Sequence, residues 1–510
     1  MKITRRTALI GGAAAAGAVA LGVGGYTLGR QYFGAQTVAG SAGEPKQIRS
    51  KNGRLEVDLV VANTLVDIGG TKVSTKTYNG SLPGPTLVAQ PGDTIVVNFT
   101  NNLAESTNLH VHGLHVSPQG NSDNVMLDIA PGQTFKYEYV LAADHPTGTS
   151  WYHPHLHGVA APQLFAGLYG AIIVEQPGST LTPALNNERV LVISDIDFDT
   201  DGNVLEPTMM YKMMGREGRH ILVNGQVTPT YDAQTGATER WRVVNACSSR
   251  YLHLHWAGAT AQLVAMDTGY FGVPEITDEL ILAPGNRAEL WVSFTDQPVD
   301  LTFDSVPHPD MMTTDVKGQV LASFKPSGPA ADPIAIPAIA YLPPDIRDQP
   351  LAAKRTFTLA MPTMAQMMSG DGSGSGMGNM DGMSGMDHGN MGGSGMNGSG
   401  MGAGLFTING ESFDPAKINT TVAMNTVEEW TIVNPTGMNH PFHLHVWPMQ
   451  LVSSMGVPVA DARWQDVVNV PYKSQVVVRV AFKDIAGTTM YHCHILDHED
   501  QGMMGQIQAK

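Results

Sequence analysis

One pattern occurs three times along this chain, and it limits what the chain can fold into. The first copy runs Tyr78-Asn79-Gly80, a Pro-rich turn, Ile95-Val96-Val97-Asn98 and then His110-Val111-His112. The second runs Val223-Asn224-Gly225, Arg242-Val243-Val244-Asn245 and His253-Leu254-His255-Trp256. The third runs Ile408-Asn409-Gly410, Thr431-Ile432-Val433-Asn434 and His443-Leu444-His445. From each Asn-Gly to the first His the distance is 31, 29 and 34 residues. Ala130-Pro131-Gly132 in the first copy is answered by Ala283-Pro284-Gly285 in the second. Alternating valine-rich runs bounded by Gly, Pro and Asn read as short strands joined by tight turns. A chain of 510 residues with Gly 56, Pro 32 and 15% charged residues has room for three units of ~150 residues. The expectation is an all-β chain of three tandem β-sandwiches.

The first and third copies also end alike. Gly148-Thr149-Ser150-Trp151-Tyr152-His153-Pro154-His155 parallels Gly487-Thr488-Thr489-Met490-Tyr491-His492-Cys493-His494, with Pro154 in the place of Cys493. Gly167-Leu168-Tyr169-Gly170 parallels Gly502-Met503-Met504-Gly505, so Leu168 replaces Met503. The last copy thus carries a thiolate, His498 five residues on and a thioether at Met503. These donor types suit a blue copper centre, which uses two His and one Cys with a weak axial Met. On an extended segment successive side chains point to opposite faces. Cys493 then faces one way and His492 and His494 the other, so one strand can serve a copper on one side and two on the other.

Four His-x-His pairs stand in the first and third copies: His110/His112, His153/His155, His443/His445 and His492/His494. Residues i and i+2 of a strand share a face, so each pair offers two imidazoles in one direction. Eight imidazoles from two units could enclose three coppers, with the middle unit as spacer. His253/His255 has no partner strand like residues 150–155 and reads as a structural remnant. His115, His145, His157, His220, His308 and His388 have no comparable context, and His157 alone is near enough to stand behind a ligand.

The interval from the second to the third copy is longer by 40 residues than that from the first to the second. The excess is a Met/Gly/Ser/Asp stretch, Met361 to Met401, with eleven methionines. It lacks the apolar bulk for a core and reads as a disordered or mobile insertion near the start of the third unit. The units are expected at 46–178, 186–328 and 350–510. Residues 1–42 read as an export segment: Arg5-Arg6 before an Ala/Gly-rich apolar run resembles a Tat-type signal, although Ala8 replaces the Phe often found there. The protein is therefore expected in the periplasm or outside the cell. No stable membrane span is expected after processing. The net charge of −16 argues against nucleic acid as a partner. Two cysteines, Cys247 and Cys493, cannot build a disulfide framework, and Cys247 reads as a plain buried thiol.

These motifs resemble the multicopper oxidases over nearly the whole chain from Asn79 to Met503. The resemblance implies three cupredoxin-like Greek-key domains and four copper ions, one type 1, one type 2 and two type 3. Position by position, it implies His440, Cys493, His498 and Met503 at the type 1 copper and His110 and His443 at the type 2 copper. It implies His112, His153 and His494 at one type 3 copper, and His155, His445 and His492 at the other. Asp123 and Glu499 fall where the family places carboxylates that supply protons. Dioxygen is the implied acceptor, reduced to water with four electrons. The Met-rich insertion resembles that of bacterial periplasmic copper-efflux oxidases, which oxidise Cu(I), and Met438 matches a family methionine at the blue copper edge. Thr436 stands where those enzymes often place an acidic ligand. Small phenolic substrates, as for a laccase, are the alternative within enzymes. A copper storage protein is the alternative outside them, and the complete ligand set speaks against it. The chain is expected to act as a monomer.

Overall fold

The computed structural model describes residues 36–38, 43–175, 187–306, 316–332, 334, 342–362 and 406–510. The export segment lies outside them except for Gln36–Val38, and so does the Met-rich insertion beyond Met361 and Pro362. No helix among the described residues is long and apolar enough to cross a membrane.

The chain is all-β, and among the described residues its strands form three successive pairs of sheets. In the first pair, a four-stranded sheet built on Arg54–Ile68 and Thr94–Asn101 faces a six-stranded sheet that holds His110–His112, Gly148–His153 and Gly170–Val174. In the second, the sheet containing Asn187–Ile196, Thr238–Asn245 and Arg287–Phe294 faces one containing Leu252–Ala257, Glu279–Leu282 and Val299–Asp304. In the third, the sheet containing Ala353–Ala360, Thr426–Asn434 and Ser474–Phe482 faces one containing His440–Leu444, Val467–Val470 and Gly487–Cys493. Each pair encloses its own apolar cluster. Val57, Leu59 and Val61 fill the first by strict alternation, as a half-buried strand requires.

The Asn-Gly mark of the repeat has a local cause. Asn79, Asn224 and Asn409 have φ of 54°, 52° and 56°, and the glycines after them are also left-handed, at 73°, 75° and 78°. Only Gly and, among others, Asn take that conformation readily. Each Asn side chain then acts as a short piece of strand. Asn79 accepts from Val60 N and donates to Asp58 O; Asn224 does the same with Val192 and Val190, and Asn409 with Thr358 and Thr356.

A second Asn marks the strand that leads to the metal-ligand pairs, and here the sequence alignment needs two corrections. Asn245 donates to Arg250 O and Leu282 O, and Asn434 to Met438 O and Val470 O. In the first unit Asn101 does this, donating to Glu105 O and Ile129 O. Asn98 instead bonds Glu56 and Asp58 on the outer face. The carbonyls of Ile129, Leu282 and Val470 belong to the residues paired with Thr107, Leu252 and His440. By this register His255, not His253, stands where His110 and His443 stand.

Candidate metal centre

The eight paired histidines meet between the first and third units. His110 opposes His153 in one sheet, and His443 opposes His492 in the other. The two sheets bring these rings face to face. The rings of His110 and His445 stack at 4.1 Å, and those of His112 and His443 at 3.9 Å, an exchange that reflects the repeat. Three sets have ligand atoms within 4.8 Å of one another: His112, His153 and His494; His155, His445 and His492; and His110, His112 and His443. The Nε2 atoms of His155 and His445 lie 3.1 and 3.0 Å from that of His492.

The tautomers are set from behind. His110 Nδ1 faces both oxygens of Asp123 at 2.9 and 3.0 Å, His153 Nδ1 faces Pro154 O at 2.8 Å, and His443 Nδ1 faces Asp466 O at 2.8 Å. His112 is reversed, with Nε2 2.9 Å from Asp466 Oδ1. For His110, His112, His153 and His443 the opposite nitrogen is left bare. His110 Nε2, His112 Nδ1, His153 Nε2, His443 Nε2, His445 Nδ1 and both nitrogens of His494 are buried without a hydrogen-bond partner. A buried polar atom without a partner costs about 1–3 kcal/mol. Burial, reinforced for most of them by neighbouring rings, holds all eight well below the usual imidazole range. Neutral imidazoles with converging free lone pairs are the state a metal requires, so these residues fit copper.

On the other side of Cys493 lies a softer site. Its Sγ is 3.5 Å from His440 Nδ1 and 3.7 Å from His498 Nδ1, and all three residues are buried. Met503 is fully buried in the same cluster as Cys493. Its N–H bonds His498 O, and its carbonyl accepts from Cys493 N. Burial pushes the Cys493 thiol up, so a bound cation is needed to make it a thiolate at neutral pH.

Glu499 is also fully buried. One oxygen lies 3.1 Å from His492 Nδ1 and the other 3.6 Å from His155 Nε2. Burial, then the neighbouring Asp500, raises its carboxyl well above the usual range. Burial pushes Asp123 up to about 8, against the Val111 N–H that it accepts. Burial therefore favours the protonated form of both acids beside the histidines. A cavity of about 560 Å³ reaches His110, His443 and His445, with His115, His145 and Trp464 in its wall; it borders none of the Cys493 site.

The middle unit does more than separate the other two. Arg287 clamps Asp466 of the third unit through two bonds of 2.6 Å and donates to Thr149 O of the first. Asp466 in turn meets His112 and His443, so all three units fix these rings. Gly285, left-handed at φ 87°, packs on His494 so closely that a Cβ there would sit 2.8 Å from Nε2. The short helix Met209–Met214 lies over the Cys493 site: His498 Nε2 faces Met213 O at 3.1 Å, and Met213 packs in one cluster with Met438, Cys493 and Met503. Arg216, just beyond, ion-pairs with Asp497 at 2.9 Å. The sequence reading missed Asp466, Arg287 and this helix. Only the helix left a signal, four methionines in six residues. Thr436 bonds His440 Nε2 at 2.9 Å. His157 is exposed against Phe413, and Cys247 is a buried free thiol, as expected.

The chain is similar to several known proteins. Three family models, each described as multicopper oxidase, match residues 60–179, 189–304 and 381–510. A multicopper oxidase of Staphylococcus aureus is 28% identical over 451 residues, 86% of this chain and 85% of that protein. A multicopper oxidase from Campylobacter jejuni, described as a metallo-oxidase, superposes with a TM-score of 0.76 at 28% identity, covering 90% of this chain and 92% of that one. A laccase-like multicopper oxidase from Ochrobactrum sp. shares the fold, with a TM-score of 0.74 at 24% identity over 92% of this chain and 99% of that one. With three cupredoxin-type units in tandem and buried imidazoles converging between the outer two, the chain belongs to the multicopper oxidase family, oxidoreductases that use copper to pass electrons from a reducing substrate to dioxygen.

Proposed function

We propose that this chain oxidises Cu(I) one electron at a time at His440, Cys493, His498 and Met503, and reduces dioxygen with four electrons at the eight histidines. The proposed complement is four copper ions: one type 1 at the Cys493 site, one type 2 at His110 and His443, and two type 3 at the triads given above. Bound copper would supply the redox steps at both sites and the binding of oxygen. The chain supplies the path between them, since Cys493 is bonded directly to His492 and His494. Glu499 and Asp123, protonated beside the ligands, are the proposed proton donors. Four Cu(I), one dioxygen and four protons would give four Cu(II) and two waters.

The observation that carries the substrate reading is the methionine helix over His498. Met209/Met213 and Met210/Met214 are i, i+4 pairs, so each shares a face. Met209 and Met210 are exposed, while Met213 is buried in the same apolar cluster as Met438. Thioethers are soft donors that select Cu(I). The Met-rich stretch 361–401 offers more of them. The second reading is a laccase acting on small phenols. We further propose domains at 46–178, 186–328 and 350–510, export by residues 1–42, and action as a monomer outside the cytoplasm.

The test compares kcat/KM for Cu(I) and for a phenol. The variants are Met209→Leu/Met210→Leu/Met214→Leu and a chain lacking 364–401. Each should lose about tenfold or more toward Cu(I) and little toward the phenol. Equal losses on both substrates, or none in either variant, would overturn Cu(I) as the substrate.

A further inference from the structure

The outer face of the middle unit carries a second group of metal-ligand side chains. Strand Leu252–Ala257 buries Leu252, Leu254 and Trp256 and turns His253 and His255 outward, half-exposed. Their rings lie 4.2 Å apart. The strand on each side adds one carboxylate to the same face. Glu279 is paired directly with His255, and Asp304 directly with His253. Glu279 Oε2 is 2.8 Å from His253 Nε2 and 3.9 Å from His255 Nδ1; Asp304 Oδ2 is 3.6 Å from His255 Nε2. His255 Nε2 is shielded from solvent and has no hydrogen-bond partner.

This face is the counterpart of the one that builds the histidine cluster in the outer units, since His255 stands in the register position of His110 and His443. There, two such faces meet and close on one another. Here the face looks outward and has flanking carboxylates instead of a second set of rings. Three adjacent strands of one sheet hold the four side chains, so hydrogen-bonded backbone fixes their spacing. A bare, shielded imidazole nitrogen within 4 Å of a carboxylate oxygen is more than a surface ion pair needs. The donors are imidazole nitrogen and carboxylate oxygen, with no thiol or thioether. Such a set favours divalent transition metals over Cu(I), and Cu(II) most strongly in the Irving–Williams order.

We infer that His253, His255, Glu279 and Asp304 form a mononuclear site for a divalent transition-metal ion, Cu(II) in preference to Zn(II), on the outer face of the middle unit. The site does not depend on which substrate is oxidised. Its ligands touch none of the residues of the Cys493 site or of the histidine cluster, so it can be removed without disturbing either.

The copper-loaded protein is dialysed against Cu(II) or Zn(II), and bound metal is counted. Electron paramagnetic resonance follows the added Cu(II). The native protein should take up one further Cu(II) per chain, with nitrogen hyperfine structure from two imidazoles, and should bind Zn(II) more weakly. His253→Ala/His255→Ala should lose that ion while keeping the blue absorption, which reports an intact fold. Glu279→Gln should weaken it by at least about tenfold. An extra ion that persists in the double variant lies elsewhere and overturns the inference, as does a native protein that takes up no extra ion.

Discussion

The first and third units end on the same scaffold, and only the third carries the proposed type 1 ligand set. In the third, helix Leu496–Asp500 is followed by Met503, whose N–H bonds the carbonyl of His498 five residues back. In the first, helix Ala160–Phe165 is followed by Leu168, whose N–H bonds the carbonyl of Gln163 five residues back. The register of the sheets matches Thr107 with His440, and the sequence matches Pro154 with Cys493 and Leu168 with Met503. The matching of the loops sets Gln163 against His498. All four proposed ligands of the third unit thus have an inert counterpart in the first. Where the third brings His440 and His498 to a thiol, the first has Thr107 Oγ1 donating to Gln163 Oε1 at 2.7 Å. A buried hydrogen bond fills the place of a metal, and no polar group is left without a partner there. The lesson is that the proposed type 1 set is a substitution pattern laid over a shared loop, while the histidine pairs on the opposite face are kept in both units.

The comparison can be broken hardest on the shared face. His155→Ala removes a ring that the first unit contributes to the cluster and leaves the Cys493 site untouched. Turnover should fall by about 10³-fold or more, equivalent to ~4 kcal/mol. The blue band should remain, should bleach with reductant, and should no longer recover in air. A variant that recovers at the native rate would show that the first unit has no part in oxygen reduction.

Asp123, behind His110, has no like partner in the third unit, where the Asp466 backbone carbonyl holds His443 instead. Burial keeps the Asp123 carboxyl protonated below about 8. Because a raised value means the proton is lost as pH rises through it, turnover at saturating substrate should decline through about pH 8. Asp123→Asn should lower turnover by roughly 100-fold, the lower end for a lost general acid, and should remove that limb. A native limb that survives in the variant assigns it to another group.

The mildest change makes the third unit more like the first. Met503→Leu copies Leu168. The blue colour should persist, because the trigonal ligands remain. The reduction potential should rise, because a weak axial donor is gone. Turnover should change only a few-fold. A colourless or copper-free variant would mean that Met503 contributes more than an axial contact.

Much of this was legible in the sequence. Asn79, Asn224 and Asn409 declared the repeat because their left-handed turns and strand-like side chains demand Asn. The His-x-His pairs and Cys493 declared the chemistry because strand alternation fixes which way they point. Two alignments slipped. The buried Asn of the first unit is Asn101, three residues after Asn98, and His253/His255 is displaced by two positions. Both errors came from matching letters where the deciding fact is which carbonyl a side chain reaches. Arg287, Asp466 and the helix Met209–Met214 were out of reach for a different reason. Their roles come largely from contacts between residues 138 to 354 positions apart, and no local pattern reports them.

The central claim is that electrons enter only at the Cys493 site, while the cluster is held by the histidines of both outer units. Metal content and visible absorption of Cys493→Ser, measured beside the native protein, test it most directly. The account predicts four coppers and an intense blue band in the native protein, and three coppers, no blue band and no turnover in the variant. A variant that keeps the blue band and its activity, or that loses every copper, would contradict it.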